Sequence, residues 1–342
     1  MFRTFRSILL AAFAICAPTF ASAATLYSDD FNTDTSANYN TFITAGAAAG
    51  PSGDVTFAYN YGAAPGSGGL AIPVAPHTTD GSTTGVRLRT DNLQNANSAP
   101  IVGATELVTK GLTLPNTYQV NVDVWSNYIG GTTIAASGSN GTTGTSVGIG
   151  TAGTSLQYIV TNDGFLAEGF GDNGGGANGA YRVYPNIQSP RPLPTNSNYY
   201  AAGTGANSAT NTDPYYTAFL PSVSAPAAQA TFSSTQSGSS AAGTLGFAWH
   251  TWTISQDTAN VTWAIDGHTI ATVPRSAFTA GGSQVSLANI DTGTGGNTTA
   301  NGQLFNAIVF DNLSVADYVP EPGTLVLCLV GVMGWFGARR RG

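Results

Sequence analysis

Residues Leu245 to Val273 read LGFAWHTWTISQDTANVTWAIDGHTIATV, and this stretch decides the fold. Phe247 and Trp249 fall on one face of an extended segment, while His250, Trp252 and Ile254 fall on the other. After a polar turn, Val261, Trp263 and Ile265 again recur at a spacing of two. That period belongs to a half-buried strand, not to a helix. Asp266-Gly267 is the pair that supplies both positive φ angles of a type I′ turn, so His268 to Val273 is expected to return as the partner strand.

The same pattern extends in both directions. Downstream, Ser283 to Ile290 reads as a strand, and Leu304 to Val315 closes the domain with Phe305, Ile308, Phe310 and Leu313 around Asp311-Asn312. Upstream, Thr117 to Tyr128 sets Val120, Val122 and Val124 against Gln119, Asn121 and Asp123, one face dry and one wet. Gly85 to Thr90, Asp54 to Tyr61 and Ala24 to Phe31 alternate in the same way, as do Ser155 to Thr161 and Phe165 to Phe170. Gly130 to Gly153 is almost wholly small residues and reads either as an exposed loop or as thin strands. Asp172 to Gly179 is a glycine-rich turn without the lysine that a phosphate cradle requires. Residues 185–240 are rich in Pro and Asn and form a loop-rich insertion. Its tyrosines (Tyr199, Tyr200, Tyr215, Tyr216) are expected to pin it to the domain, or else to line a sugar-binding rim. Short alternating runs between turn clusters predict an all-β antiparallel sandwich over residues 24–318.

The two ends have a different character. Arg3 and Arg6 precede an apolar run and Ala21-Ser22-Ala23, the layout of a signal peptide and signal helix over residues 1–23. Cys16 follows Ile15, where a lipidation motif wants a small residue. At the other end, residues 319–342 carry Pro320-Glu321-Pro322, an uncharged stretch from Gly323 to Ala338, and then Arg339, Arg340 and Arg341. As a helix this stretch spans about 24 Å, short of the ~30 Å hydrocarbon core. Clustered arginines keep such an end cytoplasmic, so a short membrane helix is expected with the bulk of the chain outside.

Composition narrows the function. Both cysteines (Cys16 and Cys328) lie in the terminal segments, so the exported part has no disulfide. Six cations (Arg87, Arg89, Lys110, Arg182, Arg191, Arg275) stand there against seventeen acids, which argues against a nucleic-acid partner. Zinc is not expected, because His77, His250 and His268 are scattered.

Two families are resembled. Pro320-Glu321-Pro322, the apolar helix and the terminal arginines look like the bacterial PEP-CTERM sorting signal. That resemblance implies recognition by an exosortase, transient inner-membrane anchoring, cleavage near the motif, and delivery to the cell surface or an extracellular polysaccharide matrix. The opening Ser-Asp-Asp-Phe, the Phe-x-Trp-His-x-Trp-x-Ile strand, the Val-x-Trp-x-Ile-Asp-Gly hairpin and the closing Phe-Asp-Asn-Leu-Ser-Val look like a concanavalin A-like (laminin G-like) jelly roll. A jelly roll sets first and last strands side by side, which would bring Asp29 and Asp30 near Asp311.

Glycoside hydrolysis in such a fold needs two carboxylates about 5–9 Å apart. Members similar to laminarinases carry them as Glu-x-Asp-x-x-Glu; here only Glu106 and Glu168 remain in the exported part, and neither lies in that motif. No catalytic residue is therefore assigned. Asp29, Asp30 and Asp311 are hard oxygen ligands suited to a structural calcium, or else ordinary turn acids. The tryptophans at strand spacing read mainly as core. The expectation is a non-catalytic, exported protein associated with exopolysaccharide. A hydrolase of the same fold and a purely structural matrix protein are the alternatives.

Overall fold

The computed structural model describes residues 23–44, 53–90, 103–128, 143–157, 163–171, 180–185, 197–203, 208–291 and 304–318. The signal helix expected at 1–23 lies outside them but for Ala23, and the membrane helix and sorting residues at 319–342 and the Asp172 to Gly179 turn lie wholly outside. Among the described residues no helix is long and apolar enough to cross a membrane.

Among the described residues fourteen strands form two antiparallel sheets. The first sheet runs β12 (His268–Pro274), β11 (Asn260–Ile265), β10 (Trp249–Gln256), β6 (Tyr118–Asn127), β14 (Ala307–Asp317), β4 (Thr84–Arg89), β3 (Asp54–Asn60). The first strand, β1 (Thr25–Asp29), pairs with the last, β14, with Asp29 opposite Leu313. The second sheet runs β2 (Tyr39–Ile43), β5 (Gly103–Thr109), β13 (Gln284–Asp291), β7 (Thr143–Thr151), β8 (Phe165–Phe170), β9 (Tyr181–Pro185). The expected antiparallel sandwich is present, as is the pairing of its terminal strands.

Alternation explains the core. Val120, Val122 and Val124 of β6, Trp252 and Ile254 of β10, and Val261, Trp263 and Ile265 of β11 share one buried cluster with Val147, Phe165 and Leu287 of the second sheet. The β11–β12 hairpin closes through Asp266 (φ 50°) and Gly267 (φ 78°), the two left-handed positions of a type I′ turn. In β14, Phe310 and Leu313 both enter this core although their spacing is odd. A bulge resolves the conflict. The register skips between Asp311 and Ser314, and Asn312 adopts φ 51°, a conformation asparagine tolerates better than most residues.

The small-residue stretch resolves differently from a loop. Its end forms β7, a buried strand between β13 and β8. Gly148 is required there, since a Cβ would collide with Gln157 and Ser286. Ser155 to Gln157, expected to begin a strand, do not form one.

The described part of the insertion carries two short helices, α1 (Pro214–Thr217) and α2 (Ala227–Phe232). Its tyrosines act as anchors. The Tyr200 hydroxyl accepts from the Val183 amide at 3.0 Å, Tyr215 donates to the Thr269 carbonyl at 2.9 Å, and buried Tyr216 packs on Tyr181 with centroids 4.6 Å apart. Residues after α1 cover one end of the first sheet's outer face. There Tyr59, Tyr61, Leu70, Ile72, Trp125, Tyr128, Phe247, Phe305 and Val309 make a second apolar cluster. Phe305 belongs to this outer cluster and not to the core that holds Ile308, Phe310 and Leu313.

Trp263 tests the sandwich. It is fully buried, packs on Trp252 at 4.9 Å and edge-on to Tyr181 at 6.0 Å, and its indole N–H has no hydrogen-bond partner. Its contribution is therefore packing. Trp263→Ala is expected to cost about 3–5 kcal/mol in urea unfolding. An unchanged midpoint would contradict the placement of β11.

Candidate functional site

The apolar cluster covers only part of the outer face. Beside it, the polar residues of β6, β10 and β14 floor an open cleft of about 710 Å³. Asn121 and Asp123 come from β6, Thr251 from β10, and Asn312 and Ser314 from β14. The walls are Ser28, Asp29 and Asp30 at the end of β1, Thr35 and Asn38 just after it, and His77 from the loop between β3 and β4.

Asp123 is the centre. Register places it opposite Thr251 on one side and Asp311 on the other. It is fully buried. Its two oxygens receive the His77 amide (3.0 Å), His77 Nδ1 (2.8 Å), Thr251 Oγ1 (3.0 Å) and Asn312 Nδ2 (2.9 Å). A carboxylate has about four acceptor positions, so the set is complete. Nδ1 of His77 faces a carboxylate oxygen and therefore carries a proton. The His77 side chain is 61 % exposed, so the ring is largely open to solvent.

Asp311 lies on the next strand but is held away from the cleft wall. The Tyr61 hydroxyl donates to it at 3.0 Å, the Asn312 amide at 2.8 Å and Thr78 Oγ1 at 3.4 Å. Burial, reinforced by the nearby charge of Asp123, pushes its pKa up to about 7 against these donors. Tyr61 is raised by burial and by the Asp311 charge.

The three aspartates expected to hold calcium meet different partners. Asp29 accepts from the Phe31 amide (2.8 Å) and the Tyr39 hydroxyl (2.9 Å), Asp30 from the amide and side chain of Asn32 (3.1 Å each), and Asp311 as above. Asp29 does arrive beside β14, as the strand pairing requires. Yet among the described residues no group of three or more His, Cys, Asp or Glu side chains could hold a metal ion.

The two glutamates and the other two histidines lie elsewhere. Glu106 and Glu168 sit on the second sheet, buried, accepting from the Gln157 amide (2.7 Å) and the Tyr184 hydroxyl (2.7 Å). His250 is buried against Asp266 at 2.7 Å, and exposed His268 stacks on Phe219. Trp125, Trp252 and Trp263 are buried in the two apolar clusters, and none of them lines the cleft.

No protein-family model matches the chain, and no curated protein matches it. Solved structures of similar fold exist. An endo-1,3-beta-glucanase from Streptomyces sioyaensis is 14 % identical, with 89 % of this chain and 100 % of that one covered and a TM-score of 0.42. The carbohydrate recognition domain of Emp46p is 8 % identical over 88 % and 100 %, with a TM-score of 0.43. The laminarinase from Rhodothermus marinus is 10 % identical over 88 % and 100 %, with a TM-score of 0.38. Likeness of this size transfers neither family nor activity.

Asp311 yields a pH prediction. Its folded pKa of about 7 lies above the 3.8 of the free side chain, so protonation favours the folded state. That contribution is complete below about pH 4 and is lost as pH rises through 7, up to about 4 kcal/mol at 1.36 kcal/mol per unit. In Asp311→Asn the Tyr61 hydroxyl can rotate to accept from the new amide. The variant should match the wild type in melting temperature at about pH 3.5, where the carboxyl is protonated in both states, and exceed it increasingly towards pH 8. Parallel pH profiles would contradict the assignment.

Proposed function

We propose that this chain is an exported surface or matrix protein of concanavalin A-like fold that holds an extracellular polysaccharide in the cleft over β6, β10 and β14 without cleaving it. The observation that carries this reading is the cleft itself. It is a trough of side-chain amides, hydroxyls and carboxylates on the sheet, with a volume of about 710 Å³ and rich in groups that recognise hydroxyls. Delivery rests on the terminal segments, whose Pro320-Glu321-Pro322 and Arg339-Arg340-Arg341 suit exosortase processing. An intact mass of protein from the host surface ending near the motif supports that route, and an intact Gly342 end contradicts it.

One observation favours the hydrolase alternative: Asp123 and Asp311 are direct cross-strand neighbours, and Asp311 titrates near neutrality, as a general acid does. Against it, Asp311 is turned to Tyr61 and is not part of the cleft wall, and both oxygens of Asp123 are taken by protein donors.

Binding isotherms and reducing-sugar release on one glycan panel separate the readings. Binding without release is expected, and Asn121→Leu, on the half-buried floor, should weaken binding at least tenfold while leaving the melt within a degree or two. Release of reducing ends favours the hydrolase. Failure to bind any glycan favours the purely structural protein.

A further inference from the structure

Residues 74–81 lie over the outer face of the first sheet and bring His77 to the cleft as part of its wall. Their two ends are pinned. The Trp249 indole N–H donates to the Pro73 carbonyl at 2.7 Å, and the Tyr61 amide donates to the Thr83 carbonyl at 2.9 Å. Between these pins, among the described residues, no backbone-to-backbone hydrogen bond joins 74–81 to another part of the chain. The Thr78 amide donates within the segment, to the Ala75 carbonyl at 3.2 Å. Ties to the sheet pass through side chains instead. The Ala75 amide donates to the Tyr61 hydroxyl at 3.2 Å, His77 donates to Asp123, and Thr78 accepts from the Asn312 side chain at 3.1 Å.

Apolar burial adds little to this hold. Ala75 is the buried apolar side chain of the segment, whereas Val74 is 40 % exposed and Pro76 is exposed. A segment with so few buried apolar contacts opens at less cost than the sheet beneath it. Gly81 is exposed at φ 75°, with no atom within 4 Å of the place a Cβ would take, so the backbone is free to turn at that end. A single bond reaches the opposite wall: the Asn32 side-chain amide, which donates to Asp30 at 3.1 Å, also donates to Asp80 at 3.2 Å.

We infer that residues 74–81 form a strap that lifts from the sheet as one piece between its pins at Pro73 and Thr83, and that the Asn32–Asp80 bond latches it to the opposite wall. Shut, the strap fills two acceptor positions of Asp123 with the His77 amide and Nδ1. Lifted, it takes His77 out of the cleft wall and turns those two positions over to water or to a hydroxyl in the cleft. Access to the carboxylate at the centre of the floor is thus governed by the strap. This concerns the wall alone and stands whether or not the cleft holds polysaccharide.

The test is thiol labelling of the full chain carrying Cys16→Ser and Cys328→Ser, which leaves no native cysteine. Ala75→Cys then places one thiol beneath the strap, and Val122→Cys places one in the sandwich core. Each is labelled with an aromatic disulfide reagent at urea concentrations below the unfolding transition. Ala75→Cys should react at least tenfold faster than Val122→Cys, at a rate flat in urea. The Val122→Cys rate should climb with urea, as exposure by global unfolding requires. Adding Asp80→Ala should raise the Ala75→Cys rate about threefold or more and leave the Val122→Cys rate unchanged. An Ala75→Cys rate equal to that of Val122→Cys, with the same urea dependence, overturns the strap, and a rate unmoved by Asp80→Ala overturns the latch. Should Ala75→Cys fail to fold, hydrogen exchange in the unsubstituted protein decides. Urea-independent exchange shared by the Ala75 and His77 amides supports the strap, and exchange that follows the urea dependence of the Trp252 amide overturns it.

Discussion

A carboxylate buried on the outer face of a sheet is the constraint on which the rest of this structure depends. Taking a charged group such as Asp123 out of water costs several kcal/mol unless its acceptor positions are filled. Here they are filled from three separate pieces of chain: the loop through His77, β10 through Thr251, and β14 through Asn312. Each bond to a charged acceptor contributes about 1.5–3 kcal/mol. The arrangement therefore does more than satisfy one residue. It fixes the approach of the loop to the sheet, and with it one wall of the cleft.

The same requirement explains features that look unrelated. Asn312 reaches Asp123 from the bulge in β14, the irregularity that also lets Phe310 and Leu313 both face the core. Tyr61 ties the loop a second time, donating to Asp311 and accepting from the Ala75 amide at 3.2 Å. Trp249 adds a third tie, from its indole N–H to the Pro73 carbonyl at 2.7 Å. Beyond these ties the outer face changes from apolar cover to open polar floor within one strand, from Trp125 to Asp123 to Asn121. A sandwich core on one face and an open polar cleft on the other thus share the backbone of β6.

Much of the fold was legible because alternation is a local signal. Val120 to Val124, Trp252 to Ile254 and Val261 to Ile265 lie where their spacing puts them, and Asp266-Gly267 turns as its φ preferences demand. The tyrosine pairs also proved to be anchors. β7 escaped a single reading because its Gly, Thr and Ser side chains carry almost no hydrophobic period. It is a strand only because β13 and β8 flank it, and those contacts are distant in sequence. The site was hardly legible at all. Asp123 stood alone on a polar face, and His77 was one of three scattered histidines. Their meeting depends on a loop crossing 46 residues of sequence to reach β6. The aspartates that end the first strand and sit in the last were drawn together by topology as expected, but local turns and Tyr39 captured Asp29 and Asp30, and Tyr61 captured Asp311.

The most direct measurement is hydrogen exchange at the His77 amide in the wild type and in Asp123→Asn, whose side-chain amide turns away at least one of the four donors. If Asp123 is what holds the loop to the sheet, protection of the His77 amide should fall at least tenfold, about 1.4 kcal/mol. The Trp252 and Ile254 amides in β10 should stay protected. Unchanged protection at His77 would contradict the central role given to Asp123.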